Sequence, residues 1–599
     1  MLPLPERFVA RVLSDLGETE GRALCAALDG VPPVSVRLNP AKAPQPEGPV
    51  RAGTGAASCG VGPEAACCGS GSDGAAGVRG AAAGTDALRG PEAAAVAEKP
   101  DADIPSPVPR REVQTGSASV FGANPFAAEA ADADSAVGDS AGASVAAAAS
   151  APCTGAEKVP WSRWGYYLPV RPQFTFDPAF HAGTYYVQEA GSQFVDRILA
   201  PYDPTGWRVL DLCAAPGGKT TLYASLVGAD GLVVANEIDR RRAQTLADNV
   251  RKWGTGNVVV TVNEPREVAA FEEWFDLVAV DAPCSGEGMF RKDGGARAEW
   301  SEGNVRACAV RQSAILCEAW RSLKPGGVLI YSTCTFSRTE NEEVLEAFAG
   351  ACGEELAEAA EVATDPAWGV ACGRVGVFQT FRFYPHKARG EGFFAAVARK
   401  TPGAGGRMRT PKARRALFGA VTRDEVRELG RWVLRPERMR FLRLDETSYA
   451  YPEAQADAVR ALSEGLSAIA SGVEMGRFFK GRLKPAPALA FYAGLDRRAL
   501  PAAELGAEDA LRYLRRQEVG AARFAEGMNL VCAGGRALGF AKRIGGRVNN
   551  LYPDSLRILK NELTQNDIWP KTSFIQWARC RRCSTSTRRC SVIGRRSSA

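Results

Sequence analysis

The chain has 599 residues, 45% of them hydrophobic and 24% charged, with a net charge of +6. These are globular proportions with room for several domains of roughly 100–200 residues each, and the mild positive charge admits a polyanionic partner without requiring one. Two histidines argue against a His-rich metal centre or a histidine proton relay, and the 16 cysteines lack the dense spacing of a disulfide-stapled secreted scaffold.

The first residues, MLPLPERFVARVL, lack a basic segment followed by a long apolar run, so no leader is expected. Several cysteines sit inside apolar runs as buried thiols do, so a reducing, cytoplasmic setting is expected. No stretch approaches the ~20 apolar residues of a membrane span, so no membrane partner is expected. ERFVARVLSDLG has apolar residues at helical spacing, and VSVRLNP reads as a short strand and a turn. Residues 1–40 are therefore the first part of a small N-terminal α/β region. Between 51 and 150, Ala and Gly make up 45 of 100 residues, and Phe121 and Phe126 are the only aromatics. Such a segment buries too little apolar surface to offset its ordering entropy, so 41–156 is expected to be a disordered insertion.

Order resumes at Trp161, and 157–182 is read as the second part of the N-terminal region. Trp161, Arg163, Trp164, Tyr166 and Tyr167 suit either a substrate groove or the core. Over 183–400, short β-branched runs (VVAN, VVVTV, LVAVD, VLIYST) alternate with helical stretches such as AQTLADNVRKWG and AVRQSAILCEAWRSL. That alternation predicts βαβ units and a doubly wound, mainly parallel sheet. Residues 401–478 are an Arg-rich linker or first C-terminal subdomain. Residues 479–562 are a small α+β module, and 563–599 a basic, disordered tail with seven Arg and no acid from 578 onward. Cys580 and Cys583 have the spacing of half a zinc site with no second half, so no metal is expected.

Three stretches carry the chemistry. In VLDLCAAPGGKTT, an apolar strand runs through a small-residue loop (Cys213, Ala214, Ala215, Pro216, Gly217) into a helix that begins Gly218-Lys219. The glycines permit close backbone approach and the helix start offers free N–H groups, which suits a nucleotide-like ligand. The next strand ends at Glu237, about 20 residues on, where an acid in a doubly wound fold accepts bonds from ribose hydroxyls. The one after ends at Asn263-Glu264, near the adenine position. LVAVDAPCSGEGMFRK and LKPGGVLIYSTCTFSRTENE then place Cys284 and Cys334 just past two further strands. Ligands bind beyond the carboxyl ends of such strands, so the two cysteines share one cleft with the cofactor loop.

The segment from about 161 to 400 closely resembles the Sun/nucleolar-protein (NSUN) family of RNA 5-methylcytosine methyltransferases, in its RsmF-like ribosomal RNA branch. The resemblance rests on SVRLNP, YYVQEAGS, LCAAPGGKT, DAPCSGEG, RQSAIL, YSTCT, ENE and RFYPHKARGEGFFAA, in family order. It implies a Rossmann-like S-adenosylmethionine-dependent core, with residues 213–219 and Glu237 holding the cofactor and Asp281 touching both cofactor and base. It implies that Cys334 attacks carbon 6 of a cytosine and that Cys284 assists product release. DNA cytosine methyltransferases use the cysteine of the earlier motif as nucleophile, which predicts the opposite roles. The third cofactor position departs from the family pattern, reading Asn263-Glu264-Pro265 in place of Asp-Gly. The C-terminal module resembles the PUA-like domain of RsmF-type enzymes, which implies small-subunit ribosomal RNA as substrate, free or within the subunit, with the protein a monomer. Lys542, Arg543 and Arg547 are its candidate phosphate contacts. A transfer RNA substrate, and a catalytically silent RNA-binding assembly factor, are the alternative readings.

Overall fold

The structure, a computed structural model, describes residues 2–42, 155–403, 408–413 and 417–560. Nearly all of the insertion expected to be disordered, and the basic tail with Cys580 and Cys583, lie outside the described residues.

Five parallel strands form the centre of a ten-stranded sheet: Leu323–Thr333, Phe275–Asp281, Arg208–Asp211, Leu232–Asn236 and Val258–Thr261, side by side in that order. Their alternate residues enter two separate cores. Leu210, Val278, Val280, Leu329 and Tyr331 face one layer, and Val209, Leu277, Ala279, Val328 and Ile330 the other. A strand buried on both faces must be apolar at every position, which explains the continuous β-branched runs. Burying each such side chain stabilises the fold by roughly 1.5–3 kcal/mol. The chain order reverses between Arg208–Asp211 and Phe275–Asp281, which makes the crevice beyond those two strand ends the binding position.

Three antiparallel strands (Ala371–Val375, Phe378–Phe383, Phe393–Lys400) close one edge of this sheet. The other edge is closed by Ala468–Ser471, which pairs antiparallel to Val258–Thr261. The 401–478 segment is therefore no mere linker, because it supplies a core strand. Nor does a boundary fall at 478, since Val473–Phe479 crosses it and pairs with Arg482–Pro485 in a second, five-stranded sheet.

The two parts of the N-terminal region join in one antiparallel sheet, with Val34–Leu38 between Gly165–Leu168 and Tyr185–Val187. The expected boundary at 182 thus lies too early, because Tyr185–Val187 bonds to this sheet. Helices Glu6–Leu16 and Glu18–Leu28 pack Phe8, Val12, Leu24 and Leu28 against Phe290, Trp300 and Phe336. Trp161 and Tyr167 prove to be core residues, 4% and 3% exposed. The last module is a four-stranded sheet, Ala502–Leu505, Gly527–Ala533, Arg536–Ile544 and Arg547–Asn550, with helix Ala507–Leu514. No helix among the described residues is long and apolar enough to cross a membrane.

Candidate active site

The two strands at the order reversal each end in an aspartate, Asp211 and Asp281. The loop from Leu212 to Gly217 is held almost entirely through its backbone. The N–H groups of Leu212 and Ala214 donate to the carbonyls of Ala279 and Asn236. The Ala215 carbonyl accepts from Arg242 Nη2 at 3.0 Å and the Pro216 carbonyl from Asn249 Nδ2 at 2.9 Å. Gly217 has φ +109° and a Cβ there would meet Leu246 at 2.9 Å, so only glycine suits the turn into helix Gly218–Leu226. Arg37, fully buried, braces that helix start through Gly218 O and Thr221 Oγ1 while its plane lies over Trp253. Burial without a carboxylate partner lowers its pKa to about 9.

Two carboxylates beside this loop are buried and incompletely bonded. Glu237 is 3% exposed; its Oε1 accepts from the Asp239 N–H and from Arg242, while Oε2 forms no hydrogen bond and only an ion pair with Arg242 Nη1 at 3.3 Å. Asp211 is 1% exposed; Oδ2 accepts from Thr220 Oγ1 at 2.7 Å and Oδ1 has no partner. Burial raises both pKa values, Asp211's to about 7. Buried polar atoms are nearly always bonded, so two carboxylate oxygens without a hydrogen bond beside a glycine loop fit a ligand that brings hydroxyl and amino donors. Asp239, by contrast, caps helix Arg240–Trp253 by accepting from the Arg242 N–H.

Asn263 and Glu264 do not present themselves as expected. The Asn263 amide bonds Glu267 Oε2 at 2.9 Å and the Ser467 N–H at 2.9 Å, which anchors the strand added from the C-terminal half. Glu264 is exposed at the start of the short helix Pro265–Val268. An added edge strand needs an anchor, and Asn263 is that anchor.

Beyond the crevice, Cys284 and Cys334 stand with their sulfurs 3.2 Å apart, and the Cys334 N–H donates to Cys284 Sγ at 3.4 Å. Both are free thiols. The Cys284 thiol is held well above its ordinary range, first by the hydrogen bond with Cys334 and then by burial. Asp281 accepts from Ser332 Oγ at 2.7 Å and pairs with Lys219 Nζ at 2.8 Å. Lys219 thus joins the cofactor loop to the cysteine side.

The cysteine loops are stitched together by two buried carboxylates. Glu340 accepts from the Ser285 N–H (2.8 Å), Ser285 Oγ (2.5 Å), Thr335 Oγ1 (3.1 Å) and Gln312 Nε2 (3.2 Å). Glu287 accepts from Trp300 Nε1, Arg11 Nη2 and the Phe336 N–H. Ser285 and Glu287 lie on the Cys284 loop, and Thr335 and Phe336 follow Cys334, so each carboxylate fixes one loop against the other. A carboxylate with every lone pair engaged is a positioning group. Sequence reading quoted both glutamates in their motifs without seeing this role. It also missed Asp211 and Arg37, although a charge at the end or in the middle of an apolar strand is a detectable anomaly.

In the last module, Lys542 and Arg547 are exposed. The register sets Lys542 opposite Asn549 and Ile544 opposite Arg547, so those four share a face, and Arg543 lies on the other. There its guanidinium donates to Ala521 O, Phe524 O and Gly545 O. Arg543 is a structural brace: strand alternation sets it on the face opposite Lys542 and Arg547, half-buried against these carbonyls, unlike the phosphate contact expected of it.

Three family models match the chain in order: the N-terminal domain of 16S rRNA methyltransferase RsmF at residues 142–190, 16S rRNA methyltransferase RsmB/F at 196–399, and the methyltransferase RsmF PUA domain at 501–558. The ribosomal RNA small subunit methyltransferase F of Erwinia tasmaniensis is 30% identical over 66% of this chain and 84% of its own length. The protein of the same name from Shewanella sp. strain W3-18-1 is 31% identical over 67% and 85%. Among solved structures, NSun6 from Pyrococcus horikoshii, crystallised with SFG, is 31% identical over 37% of this chain and 54% of its own, with a TM-score of 0.32. The identity and coverage shared with small subunit methyltransferase F proteins, over motifs that line one crevice, place the chain in the RsmF branch of the S-adenosylmethionine-dependent RsmB/F methyltransferase family.

Proposed function

We propose that this protein methylates carbon 5 of a cytosine in small-subunit ribosomal RNA through a covalent cysteine–cytosine adduct. The observation that carries this reading is the Cys284–Cys334 pair, 3.2 Å apart beside Asp281. Carbon 5 of cytosine is a poor nucleophile. A thiolate adding at carbon 6 forms a C–S bond, breaks the ring's aromaticity and pushes an electron pair toward carbon 5. Cys334 is that nucleophile in this reading, as the resemblance of YSTCT to the family motif implies, with the Cys284 sulfur 3.2 Å from its own. Asp281, fixed by Ser332 and Lys219, faces the charge that builds near ring N3. Once carbon 5 carries the transferred methyl, its proton passes to a water molecule, the electrons return to the ring and the C6–S bond breaks to free the Cys334 thiolate, with Cys284 assisting.

S-adenosylmethionine, when bound, supplies the methyl group. Residues 213–219 would cradle it, Glu237 Oε2 would accept from its ribose, and Asp211 Oδ1 would accept a further donor. Since the Asn263 amide is engaged elsewhere, the 263–264 position would contribute through shape. The target base must leave its stack to reach the pair. Lys542 and Arg547 are proposed phosphate contacts.

The test is methyl transfer from labelled S-adenosylmethionine to small-subunit ribosomal RNA. Cys334→Ala should lose activity by about 10⁴-fold or more and form no adduct, while Cys284→Ala should accumulate a covalent protein–RNA complex. The reverse pattern would swap the two roles. Absence of transfer by the wild type to this RNA, with transfer to transfer RNA, would overturn the substrate.

A further inference from the structure

A second surface, outside the residues matched by the methyltransferase and PUA models, has the make-up of an RNA contact. In the hairpin Val473–Phe479/Arg482–Pro485, Arg477 lies opposite Lys484 and Phe479 opposite Arg482. Side chains alternate along strands, so these four share one face, and all four are exposed. The residues between them, Phe478 and Leu483, turn to the opposite face, where Leu483 packs with Val473 and Met475 in the core. Phe479 is 69% exposed, an unusual position for a phenylalanine on a hairpin with a core face available.

Lys480 and Gly481 form the two-residue tip, with φ +49° and +74°. A lysine at positive φ costs about 1–2 kcal/mol relative to glycine, and Asn or Gly is the ordinary choice there. Here it sets the ammonium 5.6 Å from the Phe479 ring centroid.

The charges are also unlike their neighbours. Arg440 is neutralised by Glu453 and Asp457, Arg443 by Glu425, and Arg460 by Glu464. Arg477 pairs with Glu446. Among the described residues, Lys480, Arg482 and Lys484 form no ion pair. An exposed aromatic ring ringed by free cations meets the two demands of a single nucleic-acid strand, a stacking face for a base and positive charge for its phosphates.

We propose that this hairpin grips a single-stranded segment of the substrate RNA, with Phe479 stacked on an unpaired base and Lys480, Arg482 and Lys484 on the adjoining phosphates. The proposal rests on RNA being the substrate class and adds a binding element separate from both the crevice and the last module.

The experiment measures affinity of the full chain for deproteinised small-subunit ribosomal RNA across a salt series, alongside methyl transfer. Phe479→Ala should weaken binding roughly tenfold, and Phe479→Trp should restore it. The double variant Arg482→Glu/Lys484→Glu should weaken binding and flatten the salt slope by about 1–1.5, the loss of two phosphate contacts. In each variant KM for RNA should rise with kcat unchanged, and melting temperatures should match the wild type because every changed residue is exposed. Unchanged affinity and salt slope in both variants would overturn the hairpin proposal while leaving the methyl-transfer reading intact. Hairpin-dependent binding without any methyl transfer would do the opposite. If the variants lose activity on assembled subunits alone and bind naked RNA normally, the face docks a ribosomal protein and the RNA assignment is wrong.

Discussion

The two sides of the crevice treat buried carboxylates in opposite ways. On the cysteine side, Glu340 and Glu287 are saturated with donors from the chain itself. On the cofactor side, Asp211 Oδ1 is buried with no partner, and Glu237 Oε2 has no hydrogen bond, only the Arg242 charge at 3.3 Å. The first arrangement makes two loops into one rigid body. The second leaves polar atoms whose desolvation is uncompensated until something binds. Carboxylates at the same low exposure are therefore fully bonded in one place and incompletely bonded in the other, and the difference lies in the donors around them.

Removing a saturated carboxylate should have the largest effect. Glu340→Ala removes the acceptor of four hydrogen bonds and leaves the buried Ser285 N–H without a partner, a cost of about 1–3 kcal/mol for each buried donor left unpaired. We expect a loss of at least about 3 kcal/mol in denaturant unfolding and a sharp fall in adduct yield, with Glu340→Gln recovering part of both. A Glu340→Ala variant as stable as wild type would erase the contrast.

Removing Glu237 should act mainly on the cofactor. Glu237→Ala should raise the S-adenosylmethionine Kd by roughly ten- to a hundredfold, the loss of one or two charge-assisted hydrogen bonds. Isothermal titration with the cofactor alone reads this directly, and an unchanged Kd would remove Glu237 from the site.

The pH dependence sharpens the same point. Asp211 is raised from 3.8 to about 7 in the fold, chiefly by burial. A carboxyl raised by folding contributes stability that is fully present below its unfolded pKa and lost as pH rises through its folded pKa. Wild-type stability should therefore fall between about pH 4 and pH 7 relative to Asp211→Asn, and the gap should stay level above. Melts at pH 4.5 and 7.5 measure it; a gap of equal size at both would refute the orphaned-acid reading.

The smallest effects belong to the last module. Lys542→Ala should cost RNA affinity severalfold and shrink the salt slope by about one unit, with no change in melting. Arg543→Ala should lower the melting temperature by a few degrees, through loss of its bonds to the Phe524, Gly545 and Ala521 carbonyls, and change the salt slope little. The converse result would restore Arg543 as the phosphate contact.

Much of this was legible in one dimension. A strand covered on both faces is apolar at each position, so the five central strands, their alternation with helices and the glycine loop after Asp211 could be read from patterning alone. The cysteines after two strand ends and the acid at Glu237 followed from the same logic, because a parallel sheet always offers its carboxyl ends to a ligand. What could not be read depends on pairs far apart in the chain. That Ala468–Ser471 completes the core sheet, that Asn263 anchors it through Ser467, and that Tyr185–Val187 joins the strand at Val34–Leu38 are matters of backbone pairing across long separations. Which way Arg543 turns depends on register, since one residue's slip along a strand exchanges inside for outside. Whether a buried acid is saturated or orphaned depends on where Ser285, Thr335 and Gln312 come to lie. Patterning along the chain carried the elements and the crevice, whereas which buried charges are satisfied by the protein followed from the fold alone, because that is set by the partners that packing brings within hydrogen-bond reach.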